Sequence, residues 1–297
     1  MVKFIDEHLP TLKPAATRRY VTSIEWLTQA FEGLHLDEIG SAKLSEFETT
    51  RRRQGVKAPT IRRDLACLSS MFGSCISWEW VEVNPVPAFL KGRKKKGLRE
   101  SPPRTRYLTQ DEEKRLLAAA SDYVADAIVL AIDTGLRREE QFALQHGQID
   151  SAERVINLTA GTKNSRARQV PIMPRTQKLL ARMPRHIKKP WVFFHPEDGS
   201  RYLQLNKGLK AAARRAGITN LTWHDLRRTC GCRLLQDHGM TLEEVRDWLG
   251  HSSVQVTEKA YAFLTIDQLK RRVLPTPETL PEKEAGTEVG TGTADKA

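Results

Sequence analysis

What is scarce in this sequence narrows it first. Its 297 residues hold only four cysteines, Cys67, Cys75, Cys230 and Cys232, with no C-x-x-C pair and no partnered Cys/His spacing. That argues against zinc ligation; the four fall in apolar helical patterns and read as buried thiols in a reducing compartment. Eight histidines are scattered, none in an H-x-x-x-H or H-E-x-x-H pair. No apolar run approaches the roughly 20 residues of a membrane span, and the opening MVKFIDEHLP lacks a signal-peptide core. A cytoplasmic protein with no membrane partner is expected. Acidic residues are also in deficit: 36 Asp and Glu face 48 Lys and Arg, a formal charge of +12. Such an excess attracts polyanions, nucleic acid before anionic membrane surface.

What is present divides the chain. From Thr17 to about Val81 the periodicity is helical. Tyr20, Ile24, Leu27 and Phe31 share one face, with Thr17 as N-cap. Ile61, Leu65, Leu68, Phe72 and Ile76 share another, on a helix that Pro85 and Pro87 are expected to end. Two to four such helices make a small bundle over residues 1–90. Residues 91–106, KGRKKKGLRESPPRTR, carry eight basic residues and one acid; they read as a linker, solvated or lying along a phosphate backbone. A second domain, 107–274, opens with a capping box at Thr109 and Glu112. It continues through an apolar helix closed by Gly135. RVINL and RQVPI alternate as short strands around the polar turn TAGTKNSRA. Helical patterns then return, one of them capped by Thr241 and Glu244 and closed by Gly250. Beyond residue 275 the Pro/Gly/Thr/Glu-rich tail has no periodicity and reads as disordered. The fold class is therefore mainly α, a small all-α bundle plus a mostly helical α+β domain with a small antiparallel sheet.

Four segments of the second domain carry polar residues that the helical pattern does not require. In TGLRREEQF, Arg137 follows a glycine turn at a helix start, where free N–H groups favour an anion. Lys163 lies near the tip of the hairpin turn. In HDLRRT, His224 and Arg227 stand at i and i+3, on one helical face. In LGHSSVQVTEKAY, His251 follows a helix-ending glycine and Tyr261 comes ten residues later. Each alone is accounted for by a surface charge or a core residue.

Together, in this order, they resemble the tyrosine recombinase, or phage-integrase, family. TGLRREEQFALQHGQID is similar to its first-arginine box, HDLRRT to its H-x-x-R box, and LGHSS with the following tyrosine to its last box. The resemblance runs over roughly residues 5–270, and the N-terminal bundle is similar to the family's core-binding domain. It implies DNA cleavage and rejoining through a 3′-phosphotyrosyl intermediate, with no metal or other cofactor. Arg137 and Arg227 would clamp the scissile phosphate, guanidiniums being always charged and bidentate. Tyr261 would be the nucleophile, Lys163 the donor to the leaving 5′-hydroxyl, and His224 a helper in proton transfer. His251 would hydrogen-bond the phosphate, and Glu140 would support an arginine or histidine. Glu139, at a position often small and polar in the family, is expected to face solvent. Arg138 and Arg228 are expected to make surface or backbone contacts. Arg166 and Arg168 compete with Lys163 for the hairpin role.

The implied partners are double-stranded DNA at a recombination site, a homo-tetramer on two DNA partners, and accessory DNA-bending or excision-directing proteins, in the nucleoid. Backbone contacts are expected from Arg93, Lys94, Lys95 and Lys96 in the linker and from Arg62 and Arg63 in the bundle. The expected function is a prophage or integrative-element integrase. An Xer-type resolvase of chromosome or plasmid dimers is the alternative, favoured by a start so close to the core-binding region. More distant is a non-catalytic DNA-binding protein on the same fold.

Overall fold

The computed structural model describes residues 1–93, 98, 104–159 and 167–264. The chain divides into two compact units, 1–102 and 103–297.

Among the described residues, the first unit is a bundle of five helices: α1 (Val2–His8), α2 (Pro14–Phe31), α3 (Ser41–Arg53), α4 (Ala58–Ser77) and α5 (Pro85–Arg93). Pro14, Pro59 and Pro85 sit in the first turns of α2, α4 and α5. The N–H that proline lacks is one that a first turn leaves unpaired in any case. Leu27, Leu44, Ile61, Leu65, Leu68, Phe72 and Val86 fill the core. Within it, Ser23 Oγ donates to Asp64 Oδ1 at 2.8 Å, and Arg51 Nη2 donates to Asp64 Oδ2 at 3.2 Å.

Three boundaries differ from expectation. Helix α2 begins at Pro14, so Thr17 lies inside it and its hydroxyl donates to the Lys13 carbonyl at 3.2 Å. Helix α4 stops at Ser77, where Trp78 caps it and Glu79 turns the chain with φ 60°. Pro85 and Pro87 therefore open α5 rather than end α4, and α5 carries Lys91, Gly92 and Arg93 into the expected linker. Ile76 is 38% exposed, while Met71 and Cys75 take the inward positions.

The second unit contains α6 (Gln110–Ala119), α7 (Asp122–Thr134) and α8 (Arg138–Phe142). Strands β1 (Ile149–Asp150), β2 (Val155–Leu158) and β3 (Arg168–Pro171) follow. Then come α9 (Pro174–Arg182), α10 (Asn206–Arg215), α11 (Trp223–Gln236), α12 (Leu242–Leu249) and α13 (Val254–Tyr261). The strands form one antiparallel sheet in the order β1-β2-β3, with Ile156 opposite both Ile149 and Val170. The two-residue β1 is too short to leave a periodic signal. Both expected capping boxes close: Glu112 N donates to Thr109 Oγ1 at 3.1 Å and Glu244 N to Thr241 Oγ1 at 3.2 Å. Helices α7 and α11 pack together at the centre, with Leu130, Phe142, Phe193 and Leu226 fully buried around them. Each such side chain contributes about 1.5–3 kcal/mol of burial free energy. Cys230, Cys232, Leu234, Val245, Leu249, Tyr261 and Leu264 make a second, smaller cluster.

Candidate active site

Two helix ends set this site. Helix α7 ends at Gly135, with φ 61°, and α12 at Gly250, with φ 67°. Gly135 is needed for contact as well as for its left-handed turn. A Cβ there would lie 2.5 Å from Leu249 Cδ2 and 3.0 Å from Cys230 Sγ. The carbonyls at these ends hold two guanidiniums. Arg227, 4% exposed on α11, donates from Nη1 to Gly135 O and from Nη2 to Leu249 O at 2.7 Å. Arg137, the N-cap of α8, donates from Nη2 to Gly250 O and from Nη1 to Glu140 Oε1 at 2.8 Å. Carbonyls at helix C-termini carry partial negative charge, so they hold cations without cancelling them.

Both arginines face one cavity of about 720 Å³, lined also by His224, His251, Lys210 and Glu139. Burial and the neighbouring Arg137 charge push the Arg227 pKa down to about 10, leaving it charged at neutral pH. Glu140 lies beneath. Its carboxylate receives Arg137 N at 2.8 Å and two Arg168 guanidinium bonds at 3.1 and 2.8 Å. Burial alone would raise its pKa, but the bonds and charges of Arg168 and Arg137 pull it to about 2. Arg168 also donates to Trp248 O at 3.1 Å, tying β3 to α12.

The two histidines are held neutral. His251 Nδ1 lies 2.9 Å from the hydroxyl of buried Thr257. Burial and the Arg227 and Arg137 charges push its pKa down to about 4. When Thr257 donates to Nδ1, the ring carries its proton on Nε2 and offers a neutral donor. His224 stands in the first turn of α11, with an exposed edge at the cavity. The protein crowded around the rest of its ring, then the charges of Arg228 and Arg227, lower its pKa. It is thus unprotonated and able to accept a proton at pH 7.

Tyr261 ends α13 and is 5% exposed. It is not among the residues lining the cavity. Its hydroxyl rests against Gly231 of α11, where a Cβ would come within 2.0 Å of it. Burial and Cys232 raise its pKa, with Arg227 and Arg228 opposing.

The expected site residues thus fall into three groups. Arg137, His224, Arg227 and His251 converge on the cavity, Glu140 supports one of them, and Tyr261 lies alongside but turned inward. Lys163, Lys94, Lys95, Lys96 and Arg166 lie outside the described residues. In the bundle, Arg63 is exposed, and Arg62 donates to Leu98 O at 3.3 Å. Arg93 pairs with Glu48 at 3.2 Å and donates to Ser45 Oγ, so its guanidinium is committed to the bundle. Glu139 is exposed, as expected. Arg228 corrects the expectation of surface contacts: it is 7% exposed. The signal was present in LRRTCGC, whose small residues on every side mark a helix crowded all round. Thr257 left no comparable mark, because its contact with His251 six residues before it follows no helical or strand period, and the Arg168 bond to Glu140 was hidden because the two are 28 residues apart.

Residues 106–266 match the model of the phage integrase family. The chain belongs to that family. It is 29% identical over 246 residues to the integrase of Escherichia phage P2, covering 81% of this chain and 66% of that protein. It is 28% identical over 172 residues to the tyrosine recombinase XerC of Bifidobacterium longum, covering 52% of this chain and 47% of that protein. The chain therefore spans about half to two thirds of the length of these relatives. The fold is also that of the Tn1549 transposon integrase solved with a circular intermediate DNA. That match has a TM-score of 0.74 at 19% identity and covers 91% of this chain and 96% of that one.

Proposed function

We propose that this protein is a site-specific DNA recombinase of the tyrosine type, and that it integrates or excises a prophage or other integrative element. The observation that carries this reading is the convergence of Arg137 and Arg227, from distant segments, on one cavity with two neutral histidines. A phosphodiester bound there meets fixed donors where its transition state gathers charge. Tyr261 Oη attacks phosphorus and the P–O5′ bond breaks. The phenol proton passes to His224, and the leaving 5′ oxygen takes a proton from Lys163. Attack by a 5′-hydroxyl reverses the step and rejoins the strand. A free phenol costs roughly 4 kcal/mol to ionise at pH 7. The seat against Gly231 raises that cost, so the reacting state brings the hydroxyl out of it and towards the guanidiniums.

We assign the bundle and the segment after it to duplex binding and the second unit to cleavage, with four protomers acting on two duplexes. The likeness to the P2 integrase favours integration. The likeness to XerC supports the second reading, resolution of chromosome or plasmid dimers. The test is covalent trapping on nicked duplexes that carry candidate attachment repeats, in EDTA. An adduct formed by wild type and lost in Tyr261→Phe is the expected result; an adduct surviving in that variant assigns the nucleophile elsewhere. Trapping on attachment repeats but not on dimer-resolution sites would separate the two roles.

A further inference from the structure

Asp225, fully buried in the first turn of α11, holds a carboxylate that accepts four hydrogen bonds, three on Oδ2 and one on Oδ1. Arg104 reaches it from the start of the second unit, Nε to Oδ1 at 2.6 Å and Nη2 to Oδ2 at 2.8 Å. Thr222 gives Oδ2 its N–H and its hydroxyl, each at 2.8 Å. An ionised carboxylate has about four acceptor positions. Arg228, the only other cation against it among the described residues, pairs with Oδ1 at 3.5 Å, close enough for an ion pair but not for a hydrogen bond. Its Nε and Nη1 are buried with no hydrogen-bond partner. A buried guanidinium with unused donors is costly.

Its position gives the cost a use. On α11, Arg228 shares a stripe with His224 one turn before it and with Gly231 and Cys232 one turn after. Gly231 is where the Tyr261 hydroxyl rests. We propose that Arg228 is a third positive group of the reaction centre, a positioning residue whose charge, only partly offset by an Asp225 it shares with Arg104, acts on His224 and Tyr261 from behind the cavity wall. This rests on the recombinase reading, and Arg104 is part of it: by drawing the Asp225 carboxylate into its own hydrogen bonds, it leaves Arg228 only a share of that charge. The groups facing His224 are Arg228, Arg227, Asp225 and Arg104, with the His251 ring across the cavity from it. Those facing Tyr261 are the two arginines and the thiols of Cys232 and Cys230. Arg228 thus favours the unprotonated base and the ionised nucleophile together.

The test compares wild type with Arg228→Gln and Arg228→Lys by three readouts. The midpoint of His224 ionisation, followed by imidazole NMR and assigned with His224→Asn, should rise by about half a unit or more in Arg228→Gln. It should stay near wild type in Arg228→Lys. The rising limb of the cleavage rate against pH should move up with it, costing about tenfold at pH 7 for each unit by which Tyr261 ionisation is set back. Melting temperature should hold or increase, since Asp225 keeps Arg104 and Thr222. A lower melting temperature with an unmoved His224 midpoint would make Arg228 a structural residue and overturn the proposal. Equal loss in the lysine variant would overturn the charge argument. Failure of wild type to cleave any DNA would sink the recombinase reading while leaving the His224 titration to be judged by itself.

Discussion

Arg51 in the bundle and Arg227 in the second unit are buried to the same degree, 4% exposed each, yet their surroundings differ in kind. Arg51 faces the Asp64 carboxylate at 3.2 Å and lies over the Trp26 ring at 4.0 Å. Among the described residues, Arg227 donates only to main-chain oxygens at two helix ends. A carboxylate neutralises the guanidinium it holds. Carbonyl dipoles hold one in place and leave its charge available. Burial alone therefore does not distinguish a cation that ties a bundle together from one kept for an incoming anion; the chemistry of its partner does.

The widest separation is expected from Arg227→Met beside Arg51→Met. Loss of Arg227 should lower covalent-adduct formation about 10³-fold with little loss of stability. Loss of Arg51 leaves Asp64 buried without its cation and should cost about 3–5 kcal/mol in a denaturant titration, with adduct formation intact in the folded protein. Comparable stability losses in the two variants would erase the distinction.

Glu140 stands between the two kinds, a carboxylate that orients Arg137 while pairing with Arg168. Its depressed pKa means its stabilisation is present above the unfolded value of about 4.3 and lost as pH falls towards about 2. Glu140→Gln should be about 3 kcal/mol less stable at pH 7, the deficit closing across that acid window. A constant deficit down to pH 2 would show that shape rather than charge is at stake.

His251 gives an effect of similar size or less. Its pKa falls from about 6.5 unfolded to about 4 folded, so up to about 3 kcal/mol is present above pH 6.5 and lost as pH falls towards 4. Acid melting curves of His251→Asn should be flatter over that range. The smallest change belongs to Thr241→Ala, which removes a cap from α12 at about 1 kcal/mol and should leave adduct formation alone. A large catalytic effect there would mean that the far end of α12 reaches the site.

Much of the site was legible because its residues follow glycine turns and helix starts, which local pattern marks. Gly135 before Arg137, the Thr241–Glu244 box and Gly250 before His251 all stand where their spacing placed them. Interactions set by tertiary approach were not legible. The Arg168 bonds to Glu140, the Thr257 partner of His251 and the Arg104 bridge to Asp225 join residues whose spacing carries no period. Helix ends near proline misled for a simpler reason: proline both stops one helix and starts the next, and at Pro85 it starts one.

The carbonyls of Gly135, Leu249 and Gly250 hold the two guanidiniums by direction, whatever side chains precede them. One residue added within α7 or α12 would turn its terminal carbonyl by about 100° about the helix axis. The site should therefore tolerate many changes of composition along these two helices and almost none of length. Insertions and deletions, more than substitutions, would map the boundaries of the active centre.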